Sequence, residues 1–83
     1  MQVHIKYFAS IRERLGRATE QWETEALTLG DLRQALVQRD ALDDHPLAAG
    51  RPVRIALNQV MCEEDAQLLA GCEVAFFPPV TGG

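Results

Sequence analysis

The last seven residues, Phe77-Pro78-Pro79-Val80-Thr81-Gly82-Gly83, carry the most specific chemical signal in the sequence. Neither proline can donate to a strand ladder, so a strand that reaches Phe77 must stop there. Consecutive prolines also favour a stiff polyproline-type exit from a sheet. The four residues that follow span at most about 13–14 Å. Gly82 and Gly83 have no Cβ, so the pair fits a channel that any side chain would block. The group such a tail delivers is the α-carboxylate of Gly83. Read from the residues alone, a frayed terminus is the other interpretation.

The remaining reactive side chains form no constellation of comparable specificity. Cys62 and Cys72 are separated by nine residues, which is not zinc-ligand spacing, and no His pair completes a site, so no metal is expected. Neither cysteine precedes a helix or a cationic cluster that would activate it as a sulfur-carrying group. A disulfide between them is allowed by the sequence but unsupported, since no secretion signal is expected. Asp43-Asp44-His45 has acid–base residue types but reads as a solvated loop without partners. Glu63-Glu64-Asp65 reads as a solvated turn that steers a basic partner. Lys6, the only lysine, reads as a strand surface residue instead of an isopeptide acceptor. No phosphate-binding G-x-x-x-x-G-K-[ST] loop is present in the sequence.

A chain of 83 residues and 9.2 kDa makes one domain. A domain this small has little room for a deep pocket, so its size favours a binding or carrier module over a self-contained enzyme. Hydrophobic residues make up 47% of the chain, enough for a packed core. Seven Arg and one Lys against twelve acidic residues give a net charge of −4, which argues against nucleic acid or an anionic membrane as partner. No apolar run approaches the roughly 18 residues of a membrane span. Met1 to Ser10 alternates instead of forming an apolar block, so no signal peptide is expected and the location is expected to be cytoplasmic.

The elements that must position the tail follow from periodicity. Val3, Ile5 and Tyr7 alternate with Gln2, His4 and Lys6, predicting a half-buried first strand. Ser10 and Glu13 have capping-box spacing, with Ile11 and Leu15 one turn apart and Gly16 suited to the helix end. Residues 19–25 predict an exposed edge strand anchored by Trp22. Thr28 and Asp31 form a second capping box, opening a helix over 29–39 with Leu29, Leu32 and Leu36 on one face. Residues 40–52 predict a loop from which Leu42 and Leu47 tuck back onto the core. Pro52 is expected to open a strand in which Val53, Ile55 and Leu57 alternate. Asn58-Gln59 predicts a turn, Val60 to Cys62 a short return strand, and residues 73–78 the last strand. Strands and helices in this order predict an α+β domain, a mixed sheet with helices on one face.

Three apolar residues fall where the alternation predicts solvent: Phe8, Met61 and Phe77. Phe8 and Phe77, if brought together on neighbouring strands, make a patch of the kind that marks a partner site, with Pro78 at its border.

The ending EVAFFPPVTGG resembles that of the small subunits of molybdopterin synthase, which are ubiquitin-like sulfur carriers. KYFA with the IRERLG helix, LRQAL and IALNQ resemble the same family, and length and element order agree over essentially the whole chain. The resemblance implies a β-grasp domain over residues 1–79 and a flexible Gly-Gly tail over 80–83. It implies that an adenylating enzyme uses ATP to activate the Gly83 carboxylate as an acyl-adenylate. A sulfur donor protein then displaces AMP and leaves a thiocarboxylate. Val80, Thr81, Gly82 and Gly83 would enter the active site of the large subunit, where sulfur passes to cyclic pyranopterin monophosphate in molybdenum cofactor biosynthesis. The catalytic acids and bases would then lie on the partner, in a heterotetramer, and this chain would bind no cofactor. Phe8, Met61, Phe77 and Pro78 would contact the partners. The alternatives are a carrier for thiamine or tRNA thiolation, or a ubiquitin-like modifier or interaction module without sulfur chemistry.

Overall fold

The computed structural model describes residues 1–79. An interior strand of its sheet is β1 (Gln2–Tyr7), in which Val3, Ile5 and Tyr7 are buried and their neighbours face outward, as the alternation requires. β1 pairs antiparallel with β2 (Thr19–Glu23) and parallel with β5 (Glu73–Phe77). β3 (Arg54–Leu57) lies antiparallel to β5 on one side and to β4 (Val60–Cys62) on the other. The strand order is therefore β2-β1-β5-β3-β4. A short helix, α1 (Ala9–Leu15), links β1 to β2, and a longer one, α2 (Leu29–Asp40), separates β2 from β3. Leu29, Leu32 and Leu36 of α2 join Val3, Ile5, Ile55, Val74 and Phe76 of the sheet in one buried cluster. This is the expected α+β architecture.

Local signals account for most boundaries. The Thr28 hydroxyl accepts from the Asp31 N–H at 3.1 Å and opens α2. Gly16 closes α1 at φ 74, a conformation that costs glycine little. Asn58 and Gln59 both take positive φ, as a two-residue hairpin turn demands, and the Asn58 carboxamide accepts from the Glu73 N–H at 2.9 Å.

Three expectations are corrected. Ser10 does not cap α1; the helix begins two residues earlier than that cap would place it, with Phe8 in extended conformation at the cap position and no side-chain cap bond. The Phe8 N–H is held by the Phe76 carbonyl, and its own carbonyl accepts from Ile11 and Arg12, so the sheet edge sets the helix start before Ser10 is reached. Leu42 is exposed, although Leu47 is fully buried as expected. Ala41 ends α2 in the left-handed conformation and turns the chain outward, and the buried loop position next to Leu47 is taken by His45. β3 starts at Arg54, two residues after Pro52. Arg54 pairs with Phe77, so a longer strand would need Pro78 as its next partner, and Pro78 has no N–H to give.

Candidate functional site

The sheet has two unlike faces. One is closed by α2. On the other, register places side chains in rows across the strands. Lys6, Ala75, Ala56 and Met61 make one row, and Phe77 and Arg54 head the next, with Phe8 following β1 beside them. Ala56 and Ala75 are both buried, although they lie on the face opposite α2. Longer side chains flank these two short ones in the register, with Lys6 and Met61 at the ends of their row and Phe77 in the next.

The aromatic margin is ordered. Phe8 and Phe77 stack with ring centroids 4.6 Å apart and planes within 10°. They stack because β1 and β5 run parallel side by side, so the residue leaving β1 meets the last residue of β5. Together with Ala9, Arg54, Met61, Pro78 and Pro79 they line an open depression of about 390 Å³. The structure thus brings together all four residues singled out for partner contact, Phe8, Met61, Phe77 and Pro78. Phe8 is 36% exposed and Met61 52% exposed. Sequence reasoning missed Ala9 and Arg54. Ala9 holds φ 50, a conformation unusual for a residue with a Cβ, where the chain turns sharply from strand to helix. Arg54 follows the strand alternation as an outward polar residue, and only its pairing with Phe77 reveals that it borders the aromatics. Val80, Thr81, Gly82 and Gly83 lie outside the described residues. Pro79, the last residue described, lines the depression, so the described chain ends at this face.

The other candidates sort differently. The solvated-loop reading of Asp43-Asp44-His45 is wrong for His45, which is 1% exposed. Its Nδ1 accepts from the Leu47 N–H at 3.0 Å, so Nε2 carries the proton and donates to Asp40 at 2.9 Å. Both ring nitrogens are used in holding the loop, which leaves neither for acid–base work. Asp43 and Asp44 are exposed, and the nearby Arg51 guanidinium holds the Asp44 carboxyl below its ordinary range. Glu63, Glu64 and Asp65 form an exposed turn as expected. Its Glu64 carbonyl accepts from the Gly30 N–H, and a Cβ on Gly30 would press within 3.3 Å of that residue. Cys62 and Cys72 are both free thiols, Cys72 buried in the core. Lys6 pairs with Glu73 at 3.2 Å across β1 and β5.

A polar network missed by sequence reasoning closes the helix side of the molecule. Glu20 of β2 accepts from the Tyr7 hydroxyl at 2.6 Å, from Arg17 at 2.8 Å and from both terminal nitrogens of Arg39. Asp40 accepts from Arg17 at 2.6 Å and from Arg39 at 3.0 Å. Burial pushes the Tyr7 phenol upward, and donation to the Glu20 carboxylate pushes it further, so it stays protonated. The carboxylates of Glu20 and Asp40 are each held by two arginines, so the network acts as a clamp within the domain.

A five-stranded mixed sheet with a parallel central pair, packed on one long helix and open on its other face, defines a ubiquitin-like β-grasp domain. The chain belongs to the ThiS family, whose description matches residues 5–83. It is 36% identical over 86 residues to the molybdopterin synthase sulfur carrier subunit of Escherichia coli, covering 98% of this chain and 99% of that one. It is 33% identical to the subunit of the same name from Haemophilus influenzae, with the same coverage. The crystal structure of SAMP1, a small archaeal modifier protein from Haloferax volcanii, superimposes with a TM-score of 0.76 at 28% identity over the full length of both chains. No helix among the described residues is long and apolar enough to cross a membrane.

Proposed function

We propose that this chain is the sulfur carrier subunit of a molybdopterin synthase, carrying sulfur as a thiocarboxylate on Gly83. The observation behind this reading is the family match that extends to Gly83, alongside relatives of that name matched over 99% of their length. The geometry agrees with it. The chain leaves β5 at the margin of an apolar depression, so a partner that docks there is placed to receive the tail.

The chemistry follows from what a carboxylate lacks. Its oxygen is a poor leaving group, so sulfur cannot displace it directly. In this reading an adenylating enzyme transfers the adenylyl group of ATP to the Gly83 carboxylate with release of pyrophosphate, and sulfide-level sulfur supplied by a donor protein displaces AMP to leave the thiocarboxylate. The charged tail then enters the large subunit and gives its sulfur to cyclic pyranopterin monophosphate. The catalytic acids and bases belong to the large subunit, and the synthase activity to the assembled heterotetramer in the cytoplasm. Docking on one face makes the activating enzyme and the large subunit mutually exclusive partners.

Incubation with ATP, the adenylating enzyme and a sulfur donor should raise the intact mass by one exchange of oxygen for sulfur, mapped to Gly83. One residue added after Gly83 should abolish the shift while leaving the melting curve unchanged. Full loading of that extended chain would refute the mechanism. The likeness to SAMP1 favours a second reading, a modifier joined through Gly83 to lysines of other proteins. Under it, the same incubation with target proteins would yield conjugates and no thiocarboxylate.

A further inference from the structure

We propose that Arg54 determines which partner the apolar face accepts, by pairing with a carboxylate on the docked protein. The inference rests on the reading of this face as the docking surface. Arg54 is exposed, projects from the row that holds Phe77, and is the only charged side chain lining the depression among the described residues. Its guanidinium makes no hydrogen bond or ion pair to another described residue, whereas those of Arg17, Arg33, Arg39 and Arg51 are all engaged.

The physical argument concerns desolvation. In the free protein the guanidinium is hydrated at no cost. When an apolar surface covers Phe8, Phe77 and Met61, the charge beside them loses water as well. An apolar partner surface without a counter-charge leaves a buried, unpaired cation, which opposes docking. A surface with a carboxylate opposite Arg54 offsets that loss with a charge-assisted, bidentate bond. The partner chemistry that fits is therefore an apolar patch carrying one acidic side chain. The net charge of −4 makes this contact informative, since a partner drawn to the acidic body of the domain would otherwise be basic.

The test measures affinity of the intact chain for its synthase large subunit, for Arg54→Glu, Arg54→Leu and Phe77→Ala. The Arg54 side chain is bonded to no other described residue, so both of its variants should melt like the parent. The expected result is at least a 100-fold loss for Arg54→Glu, recovered in part when the facing carboxylate of the large subunit is changed to Lys. Arg54→Leu should bind at least 10-fold more weakly, because it strands that carboxylate. If Phe77→Ala binds weakly while both Arg54 variants bind within 3-fold of the parent, the inference is overturned and the docking face stands. If Phe77→Ala also binds normally, the docking face itself is refuted, and the role of Arg54 with it.

Discussion

Phe77 ends β5, stacks on Phe8, and precedes two prolines that line the same depression. Its ring is half-buried and lies on the face away from the core cluster, while Phe76 beside it is fully buried in that cluster. The two phenylalanines should therefore respond differently to truncation. Phe77→Ala gives up an aromatic pair worth about 1 kcal/mol of stability, so the domain should stay folded with a small drop in melting temperature. Its complex with the large subunit should weaken by about 2 kcal/mol or more, as for an anchor at the centre of an interface. Phe76→Ala removes a core ring and should cost about 3–5 kcal/mol, enough to unfold much of the population. Calorimetric titration and a thermal melt separate the two. Melting lost at Phe77 with binding retained would assign that ring to the core. The sequence contains this distinction, because strand alternation puts adjacent residues on opposite faces. The stacking of Phe77 on Phe8 becomes visible only when the strand order sets β1 against β5.

Among the elements, the segment between α2 and β3 departs furthest from its sequence reading. Its composition of Asp, His, Pro and Gly indicates a loop, and it is one. Nothing in that composition shows that a buried guanidinium organises it. Arg33 is 7% exposed and donates to the carbonyls of Leu47 at 2.6 Å, Ala48 at 2.9 Å and Arg51 at 2.6 Å. A signal was available in its spacing. Arg33 lies four residues after Leu29 and three before Leu36, on the same face of α2 as the buried stripe. A charged residue there must either break the stripe or find partners inside. Arg33→Met should destabilise the domain by about 2–4 kcal/mol, because it strands buried carbonyls. Arg33→Lys should recover less than half of that, since one ammonium on a flexible stem cannot reproduce a planar fork serving three acceptors. Chemical denaturation checks both. Full recovery by lysine would show that the charge matters and the fork does not.

For the molecule as a whole, the two sides of the sheet are closed by different means. The open side carries the apolar depression lined by Phe8, Met61 and Phe77. The helix side is sealed by leucines and by the network in which Tyr7, Arg17, Glu20, Arg39, Asp40 and His45 join β1, β2, α2 and the following loop. The strands and helices of this assembly were legible from periodicity, but the network was not. Arg17 and Asp40 lie 23 residues apart, and Glu20 and Arg39 lie 19 apart, so no local pattern links them. Burial pushes the Glu20 carboxyl upward, but hydrogen bonds from Arg39 and Tyr7 and the charges of Arg39 and Arg17 outweigh it and hold its pKa below the ordinary value. Asp40 is held low in the same way, with burial opposed by bonds from His45, Arg17 and Arg39. A carboxyl with a lower pKa folded than unfolded stabilises the fold at pH above its unfolded value. That stabilisation is lost as pH falls through the folded value. The melting temperature should therefore be flat from neutrality down to about pH 5 and fall steeply below about pH 4. Glu20→Gln and Asp40→Asn should melt lower at pH 7 and show a shallower acid limb, since each has already lost one titrating partner. Parallel acid limbs for parent and variants would mean that the acid sensitivity of the domain arises elsewhere. Because the clamp lies behind the sheet from Phe8, Phe77 and Arg54, neither substitution should change affinity for a partner at neutral pH, where the domain remains folded.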